Sequence, residues 1–273
     1  MTYRLYNGDC LTEMKKIEDN AADITFTSPP YNMNLQVVNG KYKTNAKREV
    51  EQKGIGQKNI FKKFKYNNYD DNLPMDDYRD FTLNVIDECL RISPIVFWNV
   101  QFIAGNKKAL FEVMGQRSHQ LKEFIVWDKV NGQPAISAGV MNSAWEAILV
   151  FDRDNAIKRK FDNCYFERGT LNNIWHIKSK SSSFKDRSGT KHSATFNMEL
   201  VETVLKNFTK PGDTVLDPFM GTGTTNYVAD IMGRNSIGIE MDEEYFRFSK
   251  KRLRVKDEDN ENFESGVEPV GLF

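Results

Sequence analysis

Thr214-Val215-Leu216-Asp217-Pro218-Phe219-Met220-Gly221-Thr222-Gly223-Thr224-Thr225 is the stretch whose reading decides the fold. A short apolar run ends in an acid, a Gly-rich turn follows, and helical spacing resumes over Asn226–Met232. A second apolar run, Ser236–Glu240, also ends in an acid, and a helix through Tyr245–Arg252 follows it. Strand, Gly-x-Gly, helix, strand, acid is the layout of a nucleotide-type site. The glycines let a ligand approach the backbone, and the acid at the next strand tip pairs with ribose hydroxyls. Glu240 stands 17 residues beyond Gly223, close to the roughly 20 this geometry requires. Thr225 replaces the third glycine of the dinucleotide fingerprint, and no Lys follows the glycines, which excludes a P-loop.

Working outward, the next informative stretch is Thr27-Ser28-Pro29-Pro30-Tyr31-Asn32. It closes the brief β-rich run Ala22-Asp23-Ile24-Thr25-Phe26, which reads as a buried strand. Two prolines fix φ and cannot continue a ladder, so the chain leaves the sheet rigidly. The carboxyl end of such a strand is where α/β sheets bind ligands. This turn offers a hydroxyl and a Ser-Pro carbonyl as acceptors and the flat ring of Tyr31. Those groups suit a planar base with an exocyclic amino group; an ordinary strand-ending turn is the plain alternative.

Between and around these stretches, strand and helix patterns alternate, which implies βαβ units and a largely parallel sheet. Tyr3–Tyr6 reads as a strand leading into Asn7-Gly8-Asp9-Cys10-Leu11, where Asp9 is either a ligand-facing acid or a helix cap. A helix begins after Pro74, with Asp76 and Asp77 in its first turn, and Pro94–Trp98 is a buried strand. After a helix over Ala104–Gly115, strands at Glu123–Trp127 and Trp145–Phe151 lack an intervening helix and suggest an antiparallel hairpin at one edge. Asn172–Ile177 is strand-like, and Phe196–Phe208 is helical.

The 273 residues are 40% hydrophobic, with Lys+Arg and Asp+Glu both at 38. Neutral overall, the charge is uneven. Residues 33–69 hold nine Lys/Arg against Glu49 and Glu51, interleaved with aromatics. That composition suits phosphate contact and stacking by a mobile insertion, and Lys41, Lys43, Lys62, Lys63 and Lys65 are its candidate DNA contacts. A second basic, unperiodic stretch, 152–192, contains Arg187 and is the expected target-recognition segment. The core comprises 1–32, 70–151 and 193–252, and an acidic tail, 253–273, is expected to be disordered. Cys10, Cys89 and Cys164 are scattered, which argues for a reducing cytoplasm and against structural zinc. His119, His176 and His192 show no ligand spacing, so no metal is assigned. No apolar run approaches the roughly 20 residues of a membrane span, and the N-terminus lacks signal-peptide character.

Asp217 would repel a pyrophosphate and suits the ammonium of an amino-acid-bearing nucleotide, so S-adenosylmethionine (AdoMet) fits the charges better than NAD or ATP. Asp217-Pro218-Phe219-Met220-Gly221-Thr222-Gly223-Thr224-Thr225 resembles the AdoMet motif of the amino-group DNA methyltransferases, and Ser28-Pro29-Pro30-Tyr31 their catalytic motif. The catalytic motif comes first, which resembles the β-group order. The resemblance implies a Rossmann-like AdoMet-dependent methyltransferase fold, circularly permuted, with a mostly parallel seven-stranded sheet and an antiparallel edge. It implies cofactor contacts from Asp9 and Cys10 (an adenine-contacting turn), from Phe196, from Asp217, Pro218, Phe219, Gly221, Thr222, Gly223 and Thr224, and from Glu240 (ribose). Before Phe196 the family pattern His-Pro-Ala-x-Phe-Pro stands as His192-Ser193-Ala194-Thr195-Phe196-Asn197, without either proline.

The implied roles place Ser28 and the Pro29 carbonyl on the amino protons, Pro30 as the brace of the turn, and Tyr31 against a flipped base. No Pro-Cys resembles the nucleophile of the C5-cytosine enzymes. Ser in the first position resembles the N4-cytosine enzymes more often than the N6-adenine ones, so N4 of cytosine is the expected target. Double-stranded DNA is the expected partner; a homodimer and a separately acting cognate restriction endonuclease stay open. A non-catalytic DNA-binding relative and a methyltransferase for RNA or protein amide nitrogen are the competing readings.

Overall fold

The computed structural model describes residues 1–33, 36–38, 41–43, 72–133, 138–179, 196–255 and 262–264. In chain order the elements are β1 (Thr2–Asn7), α1 (Cys10–Met14), β2 (Ile24–Thr27), β3 (Gln36–Val38), β4 (Lys41–Lys43), α2 (Met75–Ile92), β5 (Ile95–Val100), α3 (Lys107–Gln116), β6 (Leu121–Gln133), β7 (Ser143–Asp152), β8 (Ile174–His176), α4 (Met198–Phe208), β9 (Thr214–Asp217), α5 (Thr224–Ile231), β10 (Asn235–Glu240), α6 (Glu243–Arg252) and β11 (Asn262–Glu264).

Nine strands form one sheet in the order β11-β1-β10-β9-β2-β5-β7-β6-β8, and β3 pairs with β4 separately. The five strands from β1 to β5 are mutually parallel. β7 runs antiparallel between β5 and β6. The seven strands from β1 to β6 in the sheet order are the expected ones. Two three-residue strands extend the sheet at its ends: β8 parallel to β6, and β11 antiparallel to β1.

Alternation explains why short runs suffice for strands. In β2, Ile24 and Phe26 are fully buried toward α4 and α5. Thr25 and Thr27 face the other way and are satisfied there, Thr25 Oγ1 lying 2.7 Å from Ser93 Oγ. Buried hydroxyls with partners are tolerated where lone ones are not. α1, α2 and α3 cover one face around Trp98, and α4 and α5 cover the other around Phe97.

The chain leaves β9 through α5 to reach β10 on one side, and leaves β2 through α2 to reach β5 on the other. Strand order therefore reverses between β9 and β2, and such a reversal opens a crevice at the carboxyl ends. Both diagnostic stretches end at that crevice.

Two segments differ from expectation. The acidic tail does not begin at Leu253, which is 1% exposed and closes a small cluster with Tyr3, Leu5 and Met220. Residues 262–264 then form β11. Residues 152–179 of the expected recognition segment are seated on the sheet: Phe161 and Phe166 pack 5.1 and 5.6 Å from the Phe208 ring, and Trp127 Nε1 donates to Ile177 O at 2.8 Å. Aromatics that anchor a meandering chain one at a time leave no period to read. Lys62, Lys63, Lys65 and Arg187 lie outside the described residues, and Lys41 and Lys43 are placed only as backbone of β4.

Candidate active site

The two stretches meet directly. Thr27 Oγ1, at the end of β2, donates to Asp217 Oδ1, at the end of β9, at 2.7 Å. The same oxygen accepts from Phe219 N at 3.1 Å. Asp217 is 3% exposed, and burial pushes its carboxyl above the usual range against the Thr27 bond.

Beside it, Gly221 and Gly223 adopt φ of 54° and 73°, the left-handed region that glycine enters without strain. Space over Gly221 is open, its nearest added-Cβ neighbour being Phe219 O at 4.0 Å. A Cβ on Gly223 would instead fall 2.9 Å from Ser249 Cβ, so the missing side chain lets α6 close against the turn. Gly221 N donates to Glu240 Oε2 at 2.8 Å, and Asp242 N donates to Oε1 at 2.8 Å. Burial raises the Glu240 carboxyl as well.

From below, Arg252 donates to Thr224 Oγ1 at 3.0 Å and lies 4.8 Å over the Tyr227 ring. Its burial draws the guanidinium down to about 10, still cationic at neutral pH. Pro218, Thr222 and Thr224 are buried supports of the turn. Phe219 is half-buried, 6.1 Å from both Phe81 and Trp98.

The other predicted contacts divide. Asp9 acts as the helix cap, accepting from Thr12 N at 2.9 Å and Thr12 Oγ1 at 2.8 Å. Cys10 points its thiol into the core, where burial pushes it up to about 12; only its backbone can serve a ligand. Gly8 N and Asn7 Nδ2 both donate to Glu240 O, at 3.0 and 2.7 Å, so this turn does border the crevice. Phe196 packs against Phe26 with centroids 4.8 Å apart and the rings tilted by 42°.

The Ser28–Asn32 turn is clamped by groups that sequence reading did not single out. Tyr78 Oη donates to Pro30 O at 2.8 Å, and Asn106 Nδ2 donates to Tyr31 O at 2.8 Å. Asn32, at φ 55°, accepts from Leu73 N at 2.7 Å and donates to Leu73 O and Gly105 O at 3.0 Å. Among the described residues, no hydrogen bond occupies the Pro29 carbonyl. The turn is thus braced at Pro30, Tyr31 and Asn32, and the Pro29 carbonyl remains a candidate acceptor.

Tyr31 is half-buried, and its hydroxyl points inward. It lies 3.0 Å from Ser28 Oγ, donates to Glu146 Oε2 at 3.0 Å and accepts from Asn99 Nδ2 at 2.9 Å. Burial, reinforced by the Glu146 charge, raises the phenol well above its ordinary value, so it stays protonated. Glu146 is in turn paired with Lys129 at 2.6 Å. Asn99, Lys129 and Glu146 sit at scattered strand positions, and only their burial as polar groups marks them.

The clamp yields a prediction. A Cβ on Gly105 would fall 2.2 Å from Asn32 O, so Gly105→Ala must displace the turn. Overpacking of this kind costs about 1–3 kcal/mol, and each kcal/mol is worth about 2–4 °C of Tm at this size. Gly115→Ala, in α3 with open space around it, is the matched control and should leave Tm unchanged or raise it. Thermal denaturation of both variants checks this.

The donor set has the character of an AdoMet site: a buried carboxylate, Asp217, and a half-buried one, Glu240, flank an open, glycine-lined backbone turn. Comparisons agree. A family model described as DNA methylase, N6_N4_Mtase, matches residues 22–251. The type II methyltransferase M.HinfI of Haemophilus influenzae is 29% identical over 265 residues, covering 92% of this chain and 68% of that protein. M.BglII of Bacillus subtilis is 24% identical over 295 residues, covering 95% and 71%. Among solved structures, the cytosine-N4-specific PvuII DNA methyltransferase superposes with a TM-score of 0.66 at 18% identity, covering 96% of this chain and 89% of that one. The M1.HpyAVI–SAM complex gives 0.56 at 20% identity, covering 92% and 100%. With the family model spanning both strand-end motifs and everything between them, this chain belongs to the N6_N4_Mtase family of DNA methylases.

Proposed function

We propose that this AdoMet-dependent DNA methyltransferase modifies the exocyclic amino nitrogen of a base flipped out of duplex DNA, namely N4 of cytosine. The observation that carries the reading is the Thr27–Asp217 bond, which ties the end of the base-binding strand to the end of the cofactor strand.

The bound cofactor supplies an electrophilic methyl group. Asp217 would hold its ammonium and Glu240 its ribose hydroxyls, and the open space over Gly221 would admit it. An exocyclic amino nitrogen is a weak nucleophile because its lone pair is delocalised into the ring. Ser28 Oγ and the unoccupied Pro29 carbonyl accept its two protons and favour a pyramidal nitrogen. The Tyr31 ring stacks on the base, and the clamps on Pro30, Tyr31 and Asn32 keep the acceptors in place before the base arrives. Rate acceleration then comes from alignment and preset polar groups rather than from a covalent intermediate.

The choice of cytosine is supported by Ser28, which resembles the first residue of N4-cytosine motifs. The type II names of M.HinfI and M.BglII support a sequence-specific enzyme whose target a separately acting endonuclease would share. Incubation with labelled AdoMet and unmethylated duplex DNA, followed by digestion to nucleosides, should yield N4-methylcytosine. N6-methyladenine would overturn the base assignment, and label on RNA or protein alone would overturn the substrate.

A further inference from the structure

The hydrogen bonds around Tyr31 run in one direction. A carboxylate can only accept, and Glu146 Oε2 takes the Tyr31 proton at 3.0 Å and an Asn99 proton at 2.8 Å. The phenol has one proton, so the 3.0 Å contact between Ser28 Oγ and Tyr31 Oη must be donated by Ser28. The Ser28 oxygen is left with lone pairs for any third group. Behind Glu146 stands Lys129, its Nζ 2.6 Å from Oε1, the two side chains 6% and 10% exposed.

We propose that Glu146, backed by Lys129, is a positioning residue that holds Ser28 as an acceptor toward the amino group, and that Ser28, Tyr31 and Glu146 carry away the proton the nitrogen sheds. This rests on the reading of the Ser28 turn as the base site. As the nitrogen gains its methyl group it becomes cationic. One N–H bond breaks as that charge builds, in the same transition state, its electron pair remaining on nitrogen. The proton passes to Ser28 Oγ, the Ser28 proton to Tyr31 Oη, and the Tyr31 proton to Glu146 Oε2. Ser28 and Tyr31 are restored, and the carboxylate becomes a carboxylic acid. An N-methylated exocyclic ammonium is a far stronger acid than a carboxylic acid, so the net transfer is downhill.

The plain alternative is that the cluster only joins β5, β6 and β7 to the turn. Apolar residues of similar volume commonly do that as well or better than a buried ion pair. A carboxylate aimed at the one hydroxyl that touches Ser28 is a specific arrangement that packing alone does not call for.

The test is single-turnover methylation of PCR-amplified bacterial DNA, which carries no enzymatic base methylation, with AdoMet and DNA affinities measured separately. Tyr31→Phe keeps the ring and the Lys129–Glu146 pair and removes the middle oxygen of the chain. Glu146→Gln replaces an acceptor by an amide that donates. Each should slow methyl transfer about 10²-fold, with both affinities within about threefold of the unaltered enzyme. The double variant should be no slower than the slower single one, because a broken chain is not broken twice. Additive losses, losses confined to affinity, or a full-rate Tyr31→Phe would overturn the proposal. Should Glu146→Gln fail to fold with Lys129 unpaired, Tyr31→Phe decides by the same split between rate and affinity. Failure of the unaltered enzyme to methylate an amino nitrogen would instead contradict the base-site reading itself.

Discussion

Ser28→Ala is expected to slow the methyl-transfer step by about 10²–10³-fold, the loss typical of removing one preset polar group from a reacting centre. In the proposed mechanism Ser28 supplies one of two acceptors for the amino protons, and the Pro29 carbonyl, assigned to the other proton, does not replace it. The effect should fall on rate rather than on cofactor affinity, since the polar groups around the glycine turn belong to β9, α5 and β10. Stability should change little. Ser28 is half-buried and its hydroxyl gives up one bond, to Tyr31, worth about 1 kcal/mol net. Rapid-quench methylation beside equilibrium AdoMet binding checks the split. A variant that methylates at the normal rate would remove Ser28 from the chemistry.

Asp217→Asn should move stability and cofactor binding in opposite directions. The Asn Oδ1 can still accept from Thr27 and Phe219 N, so the strand junction survives. What disappears is a buried charge, and with it the proposed charge-assisted bond to the cofactor ammonium, about 1.5–3 kcal/mol, or about 10–100-fold in AdoMet affinity. Without cofactor the variant should be more stable at neutral pH, by about 2–4 °C if the buried charge costs 1 kcal/mol. The pH dependence follows from the sign of the shift. Burial raises the folded-state pKa of Asp217 above the ordinary carboxylate value, so the folded chain holds the proton more tightly than the unfolded one. That contribution is full at pH below the unfolded value and is lost as pH rises through the folded value. The Tm gain of Asp217→Asn should therefore be absent near pH 3.5 and grow toward neutrality. Calorimetry across that range, with isothermal titration of AdoMet at neutral pH, tests both halves.

Much of this fold was legible because its decisive residues act locally. Pro29 and Pro30 end β2, Gly221 and Gly223 turn the chain after β9, and apolar runs of four to six residues cannot be much else when such turns bound them. Asp9 illustrates the boundary: one residue could be a cap or a contact, and only the Thr12 bonds show that it caps α1. Glu146, Asn99 and Lys129 lay beyond reach. They join Tyr31 from positions 68 to 115 residues away, on strands that read as core, and their partnership exists only once β7 is inserted antiparallel beside β5. Tyr78 and Asn106 were hidden for the same reason, one in a helix whose apolar face explained it and one inside a stretch that reads as helix, where it is the residue before α3. Leu253 was misplaced in the tail because a single apolar residue beside acidic sequence has no periodic neighbour to mark it.

The most direct measurement of the central claim is a crystal structure with AdoMet bound. The account predicts the amino-acid end of the cofactor beside Asp217, the ribose on Glu240, the backbone of Gly221 against it, and the methyl group facing Ser28, Pro29 and Tyr31. A cofactor seated elsewhere, or one whose methyl group faces away from Ser28, would contradict it.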